Sequence, residues 1–545
     1  MKTEIDVKTA ELYSSKVQYG FIVEENRRGW KKLQIPELNS GFSPVYWYAE
    51  ENITHIDADF QGCVVEDNED GRLPETFAVK VSEEGNYQVS LTLYANKDVN
   101  QAIVFLGRRR LAYIGTLQRN QVWSGTFLVN VCPIIPRNYK DVMIDDTIDI
   151  TVLGSGLHIQ HVGVEHISCP TVYIAGDSTV TDQSADYPYY PYHSYAGWGQ
   201  MLSFYMGESA AVSNHSHSGL TTESFRSEGH YKIMYERMHE GDICLIQFGH
   251  NDQKLKPLCA GGGYRTNLIR YISEMKEKGV TPVLVTPLAR NTWKGNEDTY
   301  NDLLEGYAEE CIRLAREYKI PLLDLHARSK TLVLELGREE VKKYYFPSDY
   351  THSNDYGAYL FAGYVFDEMR KNPILHKLVM HNRSEEQVER LCKTVWEMPE
   401  KFEAIEPPEN LADIVNPNEE VLFENLERPE ELLTRVEALE LIITAMHFFP
   451  TNVYNDAFED VYGHETYAGT IECAFQNGLI PNSLVENHRI YPNRQVSGKE
   501  FIQIAGNGYR SRKGTGIPSE ISDEIVNQKC LTRSKAADIC RRLQI

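Results

Sequence analysis

Thr171-Val172-Tyr173-Ile174-Ala175-Gly176-Asp177-Ser178 is the stretch that decides the fold of this chain. Five residues suited to a buried strand run into a glycine turn that ends on a hydroxyl. Runs of the same kind recur at 242–248, 281–287 and 320–325. Between them lie stretches with helical spacing at 265–278, 301–318 and 356–370. In the first of these Leu268, Ile269, Ile272 and Met275 fall on one face. Strands alternating with helices predict a parallel sheet covered by helices on both faces, a three-layer αβα domain. In such sheets ligands sit beyond the carboxyl ends of the strands, which is where chemistry is expected.

Outward from this core the texture changes. Before about residue 168 apolar and polar residues alternate: Val89, Leu91 and Leu93 with Gln88, Ser90 and Thr92, and Ile148, Ile150 and Val152 with Asp149 and Thr151. Period two with one wet face predicts antiparallel strands, and many of them a β-sandwich. The triple Arg108-Arg109-Arg110 reads as a solvated strand end or, second, as a binding patch. Residues 398–431 are rich in Pro, Glu and Asn without periodicity, and a small helical region follows. The expected units are a β-sandwich at 1–168, an α/β domain at 169–372, a linker or wrapping segment at 373–431 and a helical domain at 432–545.

Composition narrows the function. With 42% hydrophobic and 24% charged residues among 545, the chain is globular, and its net charge of -23 disfavours nucleic acid and anionic membrane. No run approaches the ~18 apolar residues of a membrane span. The ten cysteines form no CxxC pair, which fits reduced thiols better than a zinc ribbon. No apolar leader opens the sequence, so a cytoplasmic location is expected, with cell surface or secretion the alternative if a signal was removed.

Four blocks fall at or just after strand ends or before the last helix: Gly176-Asp177-Ser178, Gly219, Gly249-His250-Asn251-Asp252 and Asp349-Tyr350-Thr351-His352. A serine hydroxyl becomes a nucleophile only when a base takes its proton. His352 suits that role, and Asp349 three residues earlier can hold its tautomer and stabilise the imidazolium. The backbone N–H groups of Ser178 and Gly219 and the side-chain amide of Asn251 can face a developing oxyanion, each such donor being worth about 3 kcal/mol. Asp349 also reads as an N-cap of the last helix. Asp177 is expected to hold Ser178 by local hydrogen bonds, and Asp252 to orient its loop. His250 either touches ligand or supports that loop.

In this order the blocks resemble the SGNH (GDSL) hydrolase superfamily over about residues 170–370. The resemblance implies a flavodoxin-like SGNH fold, Ser178, Asp349 and His352 as catalytic triad, Ser178, Gly219 and Asn251 as oxyanion hole, and no cofactor or metal. Residues 175–182, Gly197-Trp198-Gly199-Gln200, 248–253 and Val285-Thr286-Pro287 resemble the rhamnogalacturonan acetylesterase branch. That implies deacetylation of pectic or hemicellulosic carbohydrate, with an acetylated oligosaccharide or polysaccharide as partner and homo-oligomers possible. Two other readings remain: an esterase of lipids or thioesters, against which no long apolar lid is seen, and a wall-bound binding protein with an inert hydrolase fold.

The aromatic run Tyr187, Tyr189, Tyr190, Tyr192, Tyr195 and Trp198 reads as a sugar platform or as a loop packed over the domain edge, and Trp293 as lining the cleft or bracing it. Tyr195, Trp198 and Trp293 are the expected substrate contacts. The His215/His217 pair lacks a third ligand, so no metal site is expected. In the helical region, residues 433–438, 458–461 and 474–480 resemble an S-layer homology repeat, and Ser497-Gly498-Lys499-Glu500 and Leu531-Thr532-Arg533-Ser534 resemble further repeat starts. The resemblance implies wall anchoring, with helical packing or oligomer formation as the competing role.

Overall fold

The computed structural model describes residues 2–9, 13, 17–22, 31–32, 58–59, 62–64, 74–135, 142–144, 146–185, 189–293, 299–347, 349, 351–402, 428–446, 448, 457–462 and 465–543. Tyr187, Tyr350 and residues 403–427 of the expected linker lie outside them.

Five parallel strands form the central sheet. They lie side by side in the order Ala211–Asn214, Thr171–Gly176, Ile243–Gln247, Thr281–Val285 and Leu322–Leu323. Alternate residues of each strand enter different cores. Val172, Ile174, Leu245, Val283 and Val285 pack with Met201, Leu202, Phe361 and Val365 of the helices Trp198–Met206 and Asp355–Lys371. Tyr173, Ala175, Cys244, Ile246 and Leu284 pack with Leu268, Ile272 and Met275 of the helix Arg265–Glu277 and with Cys311 and Leu314 of Glu305–Tyr318. The strand order reverses beside Thr171–Gly176. The crevice at that reversal is the usual ligand position of such sheets.

The N-terminal unit is built of antiparallel strands in two main sheets. One holds Gly85–Ala95, Val122–Val131 and Leu157–Ile167. The other holds Glu75–Lys80, Val99–Leu106, Arg110–Leu117 and Thr147–Leu153. Val89, Leu91 and Leu93 meet Phe77, Val104, Ile148, Ile150 and Val152 between them. One wet face was expected for both sheets. In Gly85–Ala95 the polar alternates are half-exposed, but Thr147–Leu153 is buried along its whole length, Asp149 and Thr151 included. The second sheet is not an outer wall: Ile103, Phe105, Leu111, Ile114 and Leu153 belong to the core of the α/β domain. The two units therefore share a continuous interior.

The α/β domain also runs past residue 372. The short helices His376–Val379 and Glu385–Lys393 follow, and Leu375, Val379, Val388 and Trp396 enter the core beside Tyr356 and Tyr359. This part of the expected linker is packed structure, because Leu375, Val379, Val388 and Trp396 cover the same core.

In the C-terminal unit the three segments read as repeat starts converge. Leu433 N donates to Leu531 O (2.8 Å), Leu531 N to Val496 O (3.1 Å) and Val496 N to Leu433 O (2.9 Å), closing a ring of backbone hydrogen bonds. The helices Arg435–Ala445, Gly498–Lys513 and Arg533–Leu543 leave from this ring. The first two carry capping boxes, Thr434 with Glu437 and Ser497 with Glu500. The buried Arg435 pairs with Glu500 (2.7 Å), and Arg533 pairs with Glu437, so the first start is linked by charge to both of the others. At the second start Gly498 replaces arginine, and a Cβ there would stand 1.8 Å from Ile525 O. Gly498→Ala is therefore expected to destabilise this unit by about 1–3 kcal/mol. Native-state hydrogen exchange should accelerate across 433–543 and stay unchanged in Gly85–Ala95.

Candidate active site

Each chemical group sits where a strand or helix end puts it. Ser178 follows Thr171–Gly176 by two residues and is nearly buried, with 8% exposure. Asp177 fixes the turn: its Oδ1 accepts from Thr179 N (3.0 Å) and Thr179 Oγ1 (2.8 Å), and its Oδ2 faces His250 Nδ1 at 3.3 Å. Burial acts to raise the Asp177 carboxyl, but His250 and Thr179 outweigh it and hold it below the ordinary range. His250 Nε2 donates to Leu288 O (2.9 Å), so this ring braces two loops.

Asp349 and His352 lie on the turn before the helix Asp355–Lys371. The N-cap of that helix is Asn354, whose side chain accepts from Gly357 N, which leaves Asp349 free for other work. His352 Nδ1 lies 2.9 Å from both Asp349 oxygens, and Asp349 Oδ1 also accepts from the backbone N–H of His352 and Thr351, each at 3.1 Å. Burial acts to raise the Asp349 carboxyl; the imidazole and these N–H donors outweigh it and hold it below its usual range. Across the crevice His352 Nε2 lies 2.7 Å from Ser178 Oγ. Hydroxyl, imidazole and carboxylate thus form one hydrogen-bonded line, the arrangement that lets a serine lose its proton as it attacks a carbonyl.

The donor groups collect on the same side. His217 N donates to Gly176 O (3.1 Å), which brings the next turn against the first strand end. Gly219 in that turn has φ +83°, a left-handed conformation that favours glycine, and nothing lies within 4 Å of where its Cβ would be. Among the described residues neither the Ser178 nor the Gly219 backbone N–H has an acceptor. Asn251 Nδ2 donates one hydrogen to Leu220 O (3.1 Å) and keeps the other. Lys254 Nζ donates to Asn251 Oδ1 (3.2 Å) and so fixes which way the amide points.

The expected substrate residues part company. Trp198 is fully buried, its Nε1 donating to Gln247 Oε1 (2.8 Å), so it cannot touch a ligand. Its place on the inner face of a helix makes it core. Trp293 is also buried, donating to Asn291 Oδ1 (2.6 Å) with its ring edge-on to Tyr300, and it braces rather than lines a cleft. Tyr195 adjoins the site from behind: its hydroxyl donates to Asp349 Oδ2 (3.1 Å) and its ring stacks on Phe346. Of the other loop aromatics, Tyr189 is buried, while Tyr190 and Tyr192 line a cleft of about 880 Å³ between the sandwich and the α/β domain. His215 is buried against Ser213 Oγ (3.0 Å), and burial pushes its pKa well down.

Sequence reasoning passed over Gln183, whose Nε2 donates to Ser178 O (3.3 Å), and Lys254; neither stands in a motif. It also misread Arg108-Arg109-Arg110. All three are buried. Arg108 Nε lies 3.3 Å from Asp182 Oδ2, Arg110 donates to Val212 O, and Arg109 forms a fully enclosed ion pair with Asp355 at 2.6 Å. The residues around them offer carboxylates and carbonyls that only the folded interface supplies.

Asp252 makes a pH test. Its Oδ1 accepts from Thr222 N (3.0 Å) and Oγ1 (2.6 Å), while burial pushes the carboxyl up to about 6. Because the folded pKa lies above the unfolded one, the neutral acid is favoured at low pH. Stability is lost as pH rises from about 4 through about 6, by up to about 3 kcal/mol. Asp252→Asn removes that loss. Its melting temperature relative to the unchanged protein should climb between pH 4 and pH 7, as read by calorimetry.

The sequence profile of the GDSL-like Lipase/Acylhydrolase family matches residues 174–360, the segment that carries Ser178, Gly219, Asn251, Asp349 and His352. The rhamnogalacturonan acetylesterase RhgT of Bacillus subtilis (strain 168) is 37% identical over 174 residues, 32% of this chain and 72% of that protein. The probable rhamnogalacturonan acetylesterase YesY of the same strain is 32% identical over 198 residues, 34% of this chain and 86% of that one. Among solved structures, the protein YxiM from Bacillus subtilis aligns with 23% identity and a TM-score of 0.35, covering 56% of this chain and 87% of that one. The chain belongs to the GDSL-like lipase/acylhydrolase family, and it is an esterase.

Proposed function

We propose that this esterase removes acetyl groups from pectic or hemicellulosic carbohydrate through an acyl-enzyme on Ser178. The observation that carries the reading is the line from Ser178 Oγ through the His352 ring to Asp349, with contacts of 2.7 and 2.9 Å. The carbohydrate part draws on the two relatives whose names specify acetylated rhamnogalacturonan.

Ser178 Oγ attacks the acetyl carbonyl carbon while its proton passes to His352 Nε2. The negative charge that develops on the carbonyl oxygen is met by the N–H groups of Ser178 and Gly219 and by Asn251 Nδ2. The sugar oxygen leaves with the proton from the imidazolium, and an acetyl ester remains on Ser178. Water then repeats the sequence through the same histidine, releasing acetate. Asp349 stays ionised throughout, because its depressed pKa keeps it charged wherever the imidazole can act as base.

The test is acetate release from acetylated pectin, xylan and mannan fragments beside hydrolysis of a long-chain nitrophenyl ester. Acetyl carbohydrate should be preferred, and Ser178→Ala should lower turnover by about 10⁴-fold or more. Asp349→Asn should lower kcat by about 10⁴-fold, because it no longer holds the imidazole in the working tautomer. Preference for the long acyl chain removes the carbohydrate reading, and full turnover in Ser178→Ala removes the mechanism.

A further inference from the structure

Of the arginines that the β-sandwich sends into the α/β domain, Arg109 makes the most bonds there. Arg109 stands at the tip of the hairpin joining Val99–Leu106 to Arg110–Leu117. It is 1% exposed and has φ +53°, a left-handed conformation unusual for a side chain of this size. Its guanidinium ties together three segments of the α/β domain. Nε donates to Gln183 O (2.9 Å) and Nη2 to Tyr195 O (2.5 Å), both on the loop that leaves Ser178. Nη1 donates to Asp355 Oδ2 (2.6 Å), three residues after His352. Nη2 also faces Gln200 Oε1 on the helix Trp198–Met206 (3.5 Å), and Gln200 Nε2 returns a bond to Arg109 O (2.8 Å).

From these anchors the contacts run inward to the reacting groups on both sides. Gln183 Nε2 holds Ser178 O at 3.3 Å. Tyr195 pairs with Asn354 by a β-bridge, and Ala196 N donates to Ser353 O (3.1 Å), so the loop from the serine lies along the turn that bears the histidine. The Tyr195 hydroxyl donates to Asp349 Oδ2 (3.1 Å), and its ring meets the His352 ring edge-on with centroids 5.9 Å apart. Tyr189 OH donates to the same Asp355 oxygen as Arg109. One cation therefore fixes the approach of two loops whose hydroxyl and imidazole must stay within hydrogen-bonding distance.

We propose that Arg109 of the β-sandwich is a positioning residue for hydrolysis, setting the separation of Ser178 and His352, and that Tyr195 carries this constraint to Asp349. The sandwich is then part of the hydrolytic unit rather than an attachment to it. The proposal rests on Ser178 and His352 reacting as described under Proposed function. A purely structural ion pair predicts lost stability and nothing else; a positioning role predicts a slower chemical step in protein that is still folded.

The experiment uses the full chain with Tyr195→Phe, which removes one oxygen atom, and Arg109→Lys, which keeps the charge but loses the fork that reaches three carbonyl and carboxylate partners at once. Two readouts are taken: steady-state kinetics on an acetylated oligosaccharide, and the rate at which a fluorophosphonate labels Ser178. Tyr195→Phe should lower kcat about 10-fold with KM unchanged, the effect of losing a hydrogen bond to a charged group. It should also move the acid limb of kcat/KM to higher pH. Without the hydroxyl, Asp349 presents more negative charge to the imidazolium and stabilises it further. The other titratable groups acting here are His250, which opposes the charge on His352, and Lys254, which faces Asp349; neither is altered. Arg109→Lys should lower kcat and labelling together by about 100-fold, the scale of a 1 Å misplacement of reacting groups.

Unchanged kcat, acid limb and labelling rate in folded Tyr195→Phe protein overturns the proposal, whether or not Arg109→Lys folds. Failure of the unaltered protein to be labelled instead overturns the underlying serine mechanism, and labelling without acetate release overturns the carbohydrate reading. The two failures are read on different proteins.

Discussion

A hydrogen bond of 2.7 Å joins Ser178 to His352 across 174 positions of sequence, and the rest of the fold serves to hold that separation. Neither partner is held by its own neighbours alone. The serine sits on a turn that Asp177 closes at the end of a fully buried strand. The histidine sits on a turn whose ends are pinned by Asn354, which caps the following helix and donates to the carbonyls of Lys343 (2.9 Å) and Tyr345 (3.0 Å). A proton passes between oxygen and nitrogen only within a few tenths of an ångström of this distance. The two turns must therefore be positioned by the packed sheet between them, and a parallel sheet does so because its interior is close-packed and yields little.

That part of the molecule was legible because strand ends and chemistry coincide. The run 171–175 predicts a buried strand, and the residues beyond it must lie at the carboxyl edge where the sheet order reverses. The same holds for the turn at Gly219 and for the segment from Gly249 to Asp252. The spacing of Leu268, Ile272 and Met275 gave the helix face that packs on Ala175 and Ile246. These signals are local in sequence, and one strand or helix satisfies each of them.

What local pattern does not carry is the identity of the surface beyond. Ile148, Ile150 and Val152 alternate with Asp149 and Thr151 as they would on a sheet with one side in water, yet that side is covered by a second domain. Polar residues on a covered face must find partners there: Thr151 Oγ1 meets Thr76 Oγ1 at 2.9 Å, and Asp149 Oδ1 accepts from Thr147 Oγ1 at 3.2 Å. The tryptophans fail for a related reason. An indole signals a large apolar surface without saying whether sugar or protein covers it, and Trp198 is turned inward by the helix that bears it.

The buried arginines explain why charge was the least legible feature and why it stands at the joints. Enclosing a guanidinium costs several kcal/mol unless carboxylates and carbonyls meet it, and an imperfect alignment leaves that cost uncompensated. Apolar contact between two domains tolerates a shift by one residue; Arg109 against Asp355, with Gln183 and Tyr195 carbonyls in place, does not. The same device recurs in the C-terminal unit, where buried Arg435 meets Glu500 and the carbonyls of Leu484 (3.1 Å) and Ile490 (2.7 Å). Such residues add little net stability, so their presence is better understood as fixing register. A sequence read alone sees only that they are charged, because the groups that make their burial tolerable lie up to 246 positions away.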